Sequence, residues 1–226
     1  MENNSKGLSK SMALVIFSAA FYTAWALFEL IGKPFIDSLV TNEILAQIIK
    51  SGIVKNLVWT LPAVLLVKHY SEEVHINLKE MFTGKVNWLK NLPVFAAFVI
   101  YILGSKYLAA GELKISSEFG AKEIITYTFV GLTEEMVFRG WLLNATIDGS
   151  RKRQWLGIAL NAVMFMLIHF PIWISQGIFV SVFTSFSFVS ILLLSVIFSL
   201  TFIKNRSILV PIALHMMWDI LLDLFV

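Results

Sequence analysis

Long apolar stretches, separated by short polar segments, make up most of the 226-residue chain. Seven of them approach or exceed the length that a helix needs to cross a hydrocarbon layer about 30 Å thick. These stretches cover residues 12–31, 52–68, 90–108, 124–147, 155–173, 178–203 and 208–225. The pattern predicts an all-α fold, a polytopic transmembrane helical bundle with about seven spans, within a range of six to eight.

Two shorter segments have helical periodicity but are too short or too polar to span. Residues 35–49 place apolar side chains on one face, and residues 72–82 do the same with more charge. Amphipathic helices of this kind lie along the membrane surface. We therefore expect one or two interfacial amphipathic helices beside the spans.

The composition is typical of a membrane protein. Hydrophobic residues make up 58% of the chain and charged residues 15%, whereas soluble domains have about 25% charged residues. The absence of cysteine excludes disulfides, thiolate metal ligands and a cysteine nucleophile. We expect residues 1–226 to form a single integral membrane domain that contacts the lipid bilayer and no nucleic acid.

The distribution of lysine and arginine predicts the orientation, because cytoplasmic loops carry the excess of these residues. With the N-terminus inside, the inner set has eleven members: Lys6, Lys10, Lys68, Lys79, Lys85, Lys90, Arg151, Lys152, Arg153, Lys204 and Arg206. The outer set has six members: Lys33, Lys50, Lys55, Lys106, Lys114 and Lys122. The N-terminus is therefore expected in the cytoplasm.

The fourth span contains three charges, in the sequence GLTEEMVFRG at residues 131–140. An ionisable group at the centre of a spanning helix costs about 2.5–3.5 kcal/mol, and such groups usually face the bundle interior and mark function. Glu135 and Arg139 are four residues apart, so they share a helical face and are expected to pair. Glu134 is rotated about 100° from that pair and lacks a partner, which suits a general base.

Two histidines and an aspartate lie at a similar depth in other spans. His169 in the fifth span and His215 in the seventh fall near Glu134 when a rise of about 1.5 Å per residue is applied. Asp219 follows His215 by four residues and projects from the same face. Each residue alone could serve helix packing. Their coincidence at one depth on three helices predicts a functional site.

Three motifs carry a family resemblance: Glu134-Glu135-x-x-x-Arg139, Phe165-x-x-x-His169 and His215-x-x-x-Asp219. In this order they resemble the motifs of the CAAX protease and bacteriocin-processing family of intramembrane proteases (CPBP, or Abi), across residues 124–222. The resemblance implies a catalytic core at residues 124–226 and variable N-terminal spans at 1–123.

The resemblance also implies roles for these residues. Glu134 and His169 would activate a water, and His215 and Asp219 would stabilise the oxyanion. The supporting residues would be Glu135, Arg139 and Phe165. The family often has Asn where this chain has Asp219; because an ionised Asp cannot donate a hydrogen bond, Asp219 would have to be protonated or orient His215.

The function implied by the resemblance is an intramembrane endopeptidase that hydrolyses peptide bonds near the membrane. Some members trim prenylated CaaX proteins, and bacterial members are linked to peptide maturation and bacteriocin self-immunity. We expect a hydrophobic or membrane-associated peptide or protein as substrate, and a bacterial plasma membrane as location.

The family is commonly labelled a metalloprotease family, so a zinc mechanism is an alternative. Glu134, His169, His215 and Asp219 would then be the ligands, because imidazoles and carboxylates can form a tetrahedral site. The HExxH signature is absent from the sequence. We favour a glutamate-dependent hydrolase without a cofactor.

A different class of function also fits a buried acid and histidine set. A small proton-coupled transporter could use it as a relay, and a non-proteolytic immunity protein could use it to bind a partner. A relay favours ionisable groups at successive depths, whereas here they cluster at one depth. The clustering favours hydrolysis.

Overall fold

The computed structural model describes residues 8–226, so Lys6 of the inner set lies outside the described residues. The described chain is helical throughout, apart from turns and an isolated antiparallel bridge between Ile115 and Phe225. The predicted all-α helical bundle is confirmed.

Ten helical elements can be followed along the described chain. Their bounds are α1 Lys10–Leu39, α2 Glu43–His69, α3 Leu78–Thr83, α4 Trp88–Ala110, α5 121–146, α6 Arg151–Leu167, α7 Phe170–Ser175, α8 Phe179–Thr184, α9 Phe188–Asn205 and α10 Leu209–Leu224. Side chains of Asn42, Asn77 and Asn87 cap the first turns of α2, α3 and α4 by accepting backbone N–H groups.

Five segments of the described chain are long and apolar enough to cross a membrane. They are α1, α2, α4, the α6–α7 segment Arg151–Ser175, and α9. Predicted spans four and seven, now α5 and α10, are not among the five. Every stretch of 18 residues in α5 contains charged residues, which lowers its hydropathy below that of the other spans, and α10 is short, with only 16 residues. Both pack inside the bundle, α5 against α2 and α10, and α10 against α4 and α9.

The expectation of an interfacial helix at residues 35–49 is wrong. These residues end α1 and begin α2, with a break only at residues 40–42. Lys50 and Asp37 join the two helices through an ion pair of 2.6 Å. The helical periodicity of residues 35–49 therefore comes from the end of α1 and the beginning of α2, two long helices that form a hairpin. In residues 72–82, only the part from Leu78 onward is helical.

The sixth predicted span, 178–203, is wrong in its first third. Phe186 has a φ of 60°, and this left-handed residue separates the short α8 from α9. Before α8, Pro171 lies in the first turn of α7, and Gly177, at a φ of 69°, lies in the turn that follows α7. The apolar run had concealed this break, because Ser and Phe do not interrupt a hydropathy pattern.

Aromatic side chains bind the N-terminal helices to α5. Phe21 of α1 packs edge-to-face on Phe138 of α5, with ring centroids 5.7 Å apart. Trp25 of α1 packs on Trp59 of α2 at 5.0 Å. All four rings are buried. In lipid, helices associate through close packing, and contacts between aromatic rings add to it. The packing of α1 and α2 therefore holds α5 in place.

Candidate active site

The middle of α5 is buried and locally widened. Every residue from Thr133 to Leu143 is buried, and Met136–Leu143 is a π-helical segment. Widened turns of this kind occur frequently at functional sites. Glu134 and Glu135 end the preceding α-helical part, and Arg139 lies within the π-helical segment.

Glu135 and Arg139 form the pair that the sequence predicted. Arg139 Nη1 donates to Glu135 Oε1 over 3.0 Å, and both side chains are fully buried. Arg139 Nη2 donates to the backbone oxygen of Ser195 at 3.1 Å and to its hydroxyl at 2.8 Å. The two charges therefore compensate each other, while Glu135 Oε2 and Arg139 Nε stay buried without a hydrogen-bond partner within residues 8–226.

Two aromatic rings enclose the same guanidinium. Its carbon lies 4.6 Å from the Phe165 ring centroid and 5.2 Å from that of Phe198. Cations placed over aromatic faces are attracted by the ring electrons. Arg139 is thus held by α5, α6 and α9 together.

His215 of α10 is oriented by the same carboxylate. Its Nδ1–H donates to Glu135 Oε1 over 2.8 Å, and its ring stacks on Phe198 at 5.1 Å. This bond leaves Nε2 facing the acids, 3.5 Å from Asp219 Oδ2 and 3.9 Å from Glu134 Oε2. Asp219, with a side chain 21% exposed, is the more accessible of the two acids.

Glu134 is buried without being bonded. It is 6% exposed, and its carboxylate makes no hydrogen bond within residues 8–226. The nearest charged partner is His215 Nε2 at 3.9 Å, beyond hydrogen-bond distance. Glu134 is therefore the carboxylate of the pair that is free to contact another molecule.

His169 lies at the junction of α6 and α7. Its Nδ1–H donates to the Phe165 carbonyl over 3.0 Å, so its Nε2 is left as an acceptor. Phe165 contacts both histidine rings, at 5.4 Å from His169 and 5.8 Å from His215. Phe165 therefore connects the two histidines of the site through contacts with both rings.

These residues lie in one segment that is similar to known proteins. Residues 120–221 match the family model described as type II CAAX prenyl endopeptidase Rce1-like. This segment is Rce1-like. The match contains all three motifs and covers less than half of the chain. No curated protein and no solved structure matches the chain.

The Rce1-like segment confirms the predicted family resemblance and supports, at the level of the family, a membrane endopeptidase. Together with the five long apolar helices, it identifies the chain as an integral membrane protein. The side of the membrane on which the N-terminus lies stays a prediction, as does the bacterial plasma membrane.

The zinc alternative depends on how the four residues that would bind the ion are placed. Within residues 8–226, no three acids, histidines or cysteines form a group that could hold a metal ion. The bonds to Glu135 and to the Phe165 carbonyl involve only Nδ1 of His215 and of His169, and a histidine that binds zinc commonly makes such a bond with its other ring nitrogen. Zinc therefore stays an alternative to the mechanism without a cofactor.

The sequence pattern indicated no role for three buried polar residues. Ser195 was assigned no role, because a serine in an apolar helix resembles ordinary packing polarity. Glu29 and Lys55 are buried in α1 and α2, although Lys55 was placed in an outer loop. Their signal was a charge inside an apolar stretch, the same signal that identified Glu134.

Proposed function

We propose that the chain is an intramembrane endopeptidase in which Glu134 and His169 activate a water for attack on a peptide carbonyl. The observation that carries the proposal is the Glu134 carboxylate, which is buried without a hydrogen bond and lies 3.9 Å from Nε2 of the oriented His215. The Rce1-like match supports the reaction class. A hydrophobic or membrane-associated peptide is the proposed substrate, because the site lies among apolar helices.

In the proposed reaction, the water oxygen forms a bond to the carbonyl carbon while Glu134 accepts one proton. His169 Nε2, free as an acceptor, holds the water by its second proton. The C–N bond then breaks as Glu134 passes its proton to the amide nitrogen. The products are a peptide with a new carboxyl group and a peptide with a new amine.

His215 is proposed to stabilise the oxyanion. Because its Nδ1–H is bonded to Glu135, protonation of Nε2 gives an imidazolium that can donate to the developing charge. Asp219 lies 3.5 Å from Nε2, which supports an orienting role for this residue. Glu135 and Arg139 are proposed to position His215 rather than to contact the substrate.

The test is cleavage of hydrophobic reporter peptides by the full chain reconstituted in lipid vesicles. We expect Glu134→Gln and His169→Ala each to lower kcat/KM about 10²- to 10⁴-fold, because each removes a group that handles protons. Glu112→Gln, at an exposed position, is the matched control and should cleave normally. A wild-type chain that cleaves no peptide in a broad library, or full activity in both variants, would contradict the proposal.

The metal question has its own measurement. We expect reconstituted protein to retain activity after strong chelation and to contain no stoichiometric zinc by elemental analysis. Loss of activity on chelation, restored by added zinc, would instead support the ligand set Glu134, His169, His215 and Asp219.

A further inference from the structure

A buried lysine outside the Rce1-like segment lies level with Glu134. Lys55 of α2 is 3% exposed, and it sits between two π-helical segments, Ile48–Val54 and Asn56–Thr60. Both segments pack against Ala121–Glu135, the part of α5 that ends in the two glutamates. This packing places Lys55 beside the candidate active site rather than in a loop.

The depths of Lys55 and Glu134 agree. Lys122 and Glu43 form an ion pair of 3.0 Å that joins the first turns of α5 and α2. With a rise of about 1.5 Å per residue, Lys55 lies about 18 Å along α2 and Glu134 about 20 Å along α5. Since the two helices begin side by side, the two side chains lie at nearly the same level.

The ammonium of Lys55 has unused hydrogen-bonding capacity. Glu29 Oε2 is paired with Lys33 Nζ at 2.5 Å, and Glu29 Oε1, which has no hydrogen-bond partner within residues 8–226, lies 3.9 Å from Lys55 Nζ, beyond hydrogen-bond distance. Lys55 Nζ makes no hydrogen bond within residues 8–226, and it rests 4.4 Å from the Trp25 ring centroid. An ammonium has three donors, and burial without acceptors is costly.

A hydrogen bond connects the surroundings of this cation with the segment that carries His169. Trp25, which supports the ammonium, donates its indole N–H over 2.9 Å to the carbonyl of Ile168, the residue before His169. The buried cations within residues 8–226 are Lys55 and Arg139. Arg139 is bonded to Glu135 and Ser195 through both Nη atoms and keeps one donor, Nε, without a partner, whereas Lys55 Nζ makes no hydrogen bond in the described part of the chain.

We propose that Lys55 is a specificity residue that binds a carboxylate of the peptide substrate close to the bond that is cleaved. This inference rests on the proposed hydrolysis, since it concerns the substrate of the same site. A carboxylate supplies the acceptors that the ammonium lacks, and a charge-assisted bond in a buried site is stronger than a neutral one. The carboxylate is either the C-terminus of the peptide or an acidic side chain.

Cleavage of matched peptides by the reconstituted full chain tests this inference. One pair of reporters differs only in a free C-terminal acid or a C-terminal amide, and a second amidated pair differs only in Asp or Asn near the reporter bond. We expect wild type to prefer the acid member of one pair about 10- to 100-fold, mainly through KM. The pair that shows the preference identifies the source of the carboxylate.

Variants at Lys55 decide whether this residue is the cause. Lys55→Met should remove the preference, and Lys55→Arg should keep most of it. Lys50→Met is the matched control, because Lys50 lies on the same helix and pairs with Asp37. Equal cleavage of acid and amide peptides by wild type would overturn the inference. So would a Lys55→Met variant that slows all peptides by the same factor.

Binding gives an answer that does not depend on turnover. In the Glu134→Gln background, the Kd of the preferred acid peptide should be about 10- to 100-fold lower than that of its neutral partner. Adding Lys55→Met should abolish this difference, and an unchanged difference would overturn the inference. If wild type cleaves no peptide but this binding preference appears, the proposed hydrolysis fails while the carboxylate site stands.

Discussion

Two adjacent glutamates of α5 have different surroundings, and the difference follows from one step around a helix. Glu135 shares a face with Arg139, and the spacing of four residues was sufficient to predict their contact. The same carboxylate also holds His215, and Arg139 also holds Ser195. These last two contacts join residues far apart in the chain, so no local spacing could predict them.

Removal of Arg139 should damage the fold more than removal of the whole pair. Arg139→Met leaves Glu135 buried with its charge uncompensated, which costs about 3–5 kcal/mol. We expect a large fall in the thermal stability of the detergent-solubilised protein. In the double variant Glu135→Gln with Arg139→Met, no charge is left unpaired, so it should be more stable than Arg139→Met alone. A double variant that is less stable than either single variant would contradict this account of the pair.

At the scale of elements, α5 and α10 approach closely at a glycine. A Cβ added to Gly131 would lie 2.7 Å from Met216 Cγ and 3.5 Å from the Ile212 carbonyl oxygen. Because Met216 adjoins His215, any displacement of α10 here moves a proposed catalytic residue. In the sequence, Gly131 is one residue of an apolar stretch. Only the packed helices show that it lets α5 and α10 approach closely.

Gly131→Leu is therefore expected to lower the peptidase activity of reconstituted protein at least tenfold, because catalytic groups misplaced by about 1 Å can cost about 10²-fold. Gly104→Leu is the control, since a Cβ at Gly104 meets no atom within 4 Å. Combining Gly131→Ala with Met216→Ala should restore activity relative to Gly131→Ala alone. Full activity in Gly131→Leu would show that the close approach is not needed.

The contact between α3 and the α9–α10 turn should weaken at acid pH. Arg206 Nη2 donates to Glu80 Oε2 over 3.0 Å and to the His75 carbonyl over 3.1 Å. The hydrogen bond from Arg206 holds the pKa of Glu80 below its usual value of 4.5. Burial, and then the charge of Arg206, lowers the pKa of His75 below 6.5. Both pKa shifts therefore make the folded contact more stable at neutral pH than at acid pH.

The sign of the pH dependence follows from these two directions. His75 resists protonation in the folded state, so stability begins to fall as the pH drops below 6.5. The contribution of Glu80 is present above 4.5 and is lost as the pH falls through its lowered pKa. Hydrogen-exchange protection of Leu78–Thr83, corrected for intrinsic rates, should therefore decrease from pH 7 to pH 4. Arg206→Gln should reduce this dependence and Lys79→Gln should not; a flat profile in wild type would contradict the account.

At the scale of the whole molecule, the sequence predicted the helical class, and five of its seven predicted spans match helices that are long and apolar enough to cross a membrane. It could not predict where helices join or break, because the α1–α2 hairpin and the turn at Phe186 lie within apolar or periodic segments. It also treated residues 1–123 as variable scaffold. The structure shows α1 packed on Phe138 and bonded to Ile168, so the N-terminal half shapes the candidate site.

The orientation of the bundle is a prediction that single cysteines can test, because the chain has no cysteine of its own. One variant is Ser150→Cys, since Ser150 lies before α6 in the predicted inner loop. The other is Ser117→Cys, since Ser117 lies between α4 and α5 in the predicted outer loop. In intact cells, a membrane-impermeant maleimide should label the cysteine at 117 and not the one at 150. Labelling of position 150 alone would reverse the predicted orientation.

The central claim is that Glu134 performs the chemistry and Glu135 holds the site together. The most direct measurement compares Glu134→Gln with Glu135→Gln in two assays, thermal stability in detergent and peptide cleavage after reconstitution. We expect Glu134→Gln to keep the stability of wild type and lose about 10²- to 10⁴-fold in kcat/KM. Glu135→Gln should lose stability as well as activity, because it leaves Arg139 buried without its counter-charge. An active Glu134→Gln variant beside a stable, inactive Glu135→Gln variant would contradict the claim and reverse the two roles.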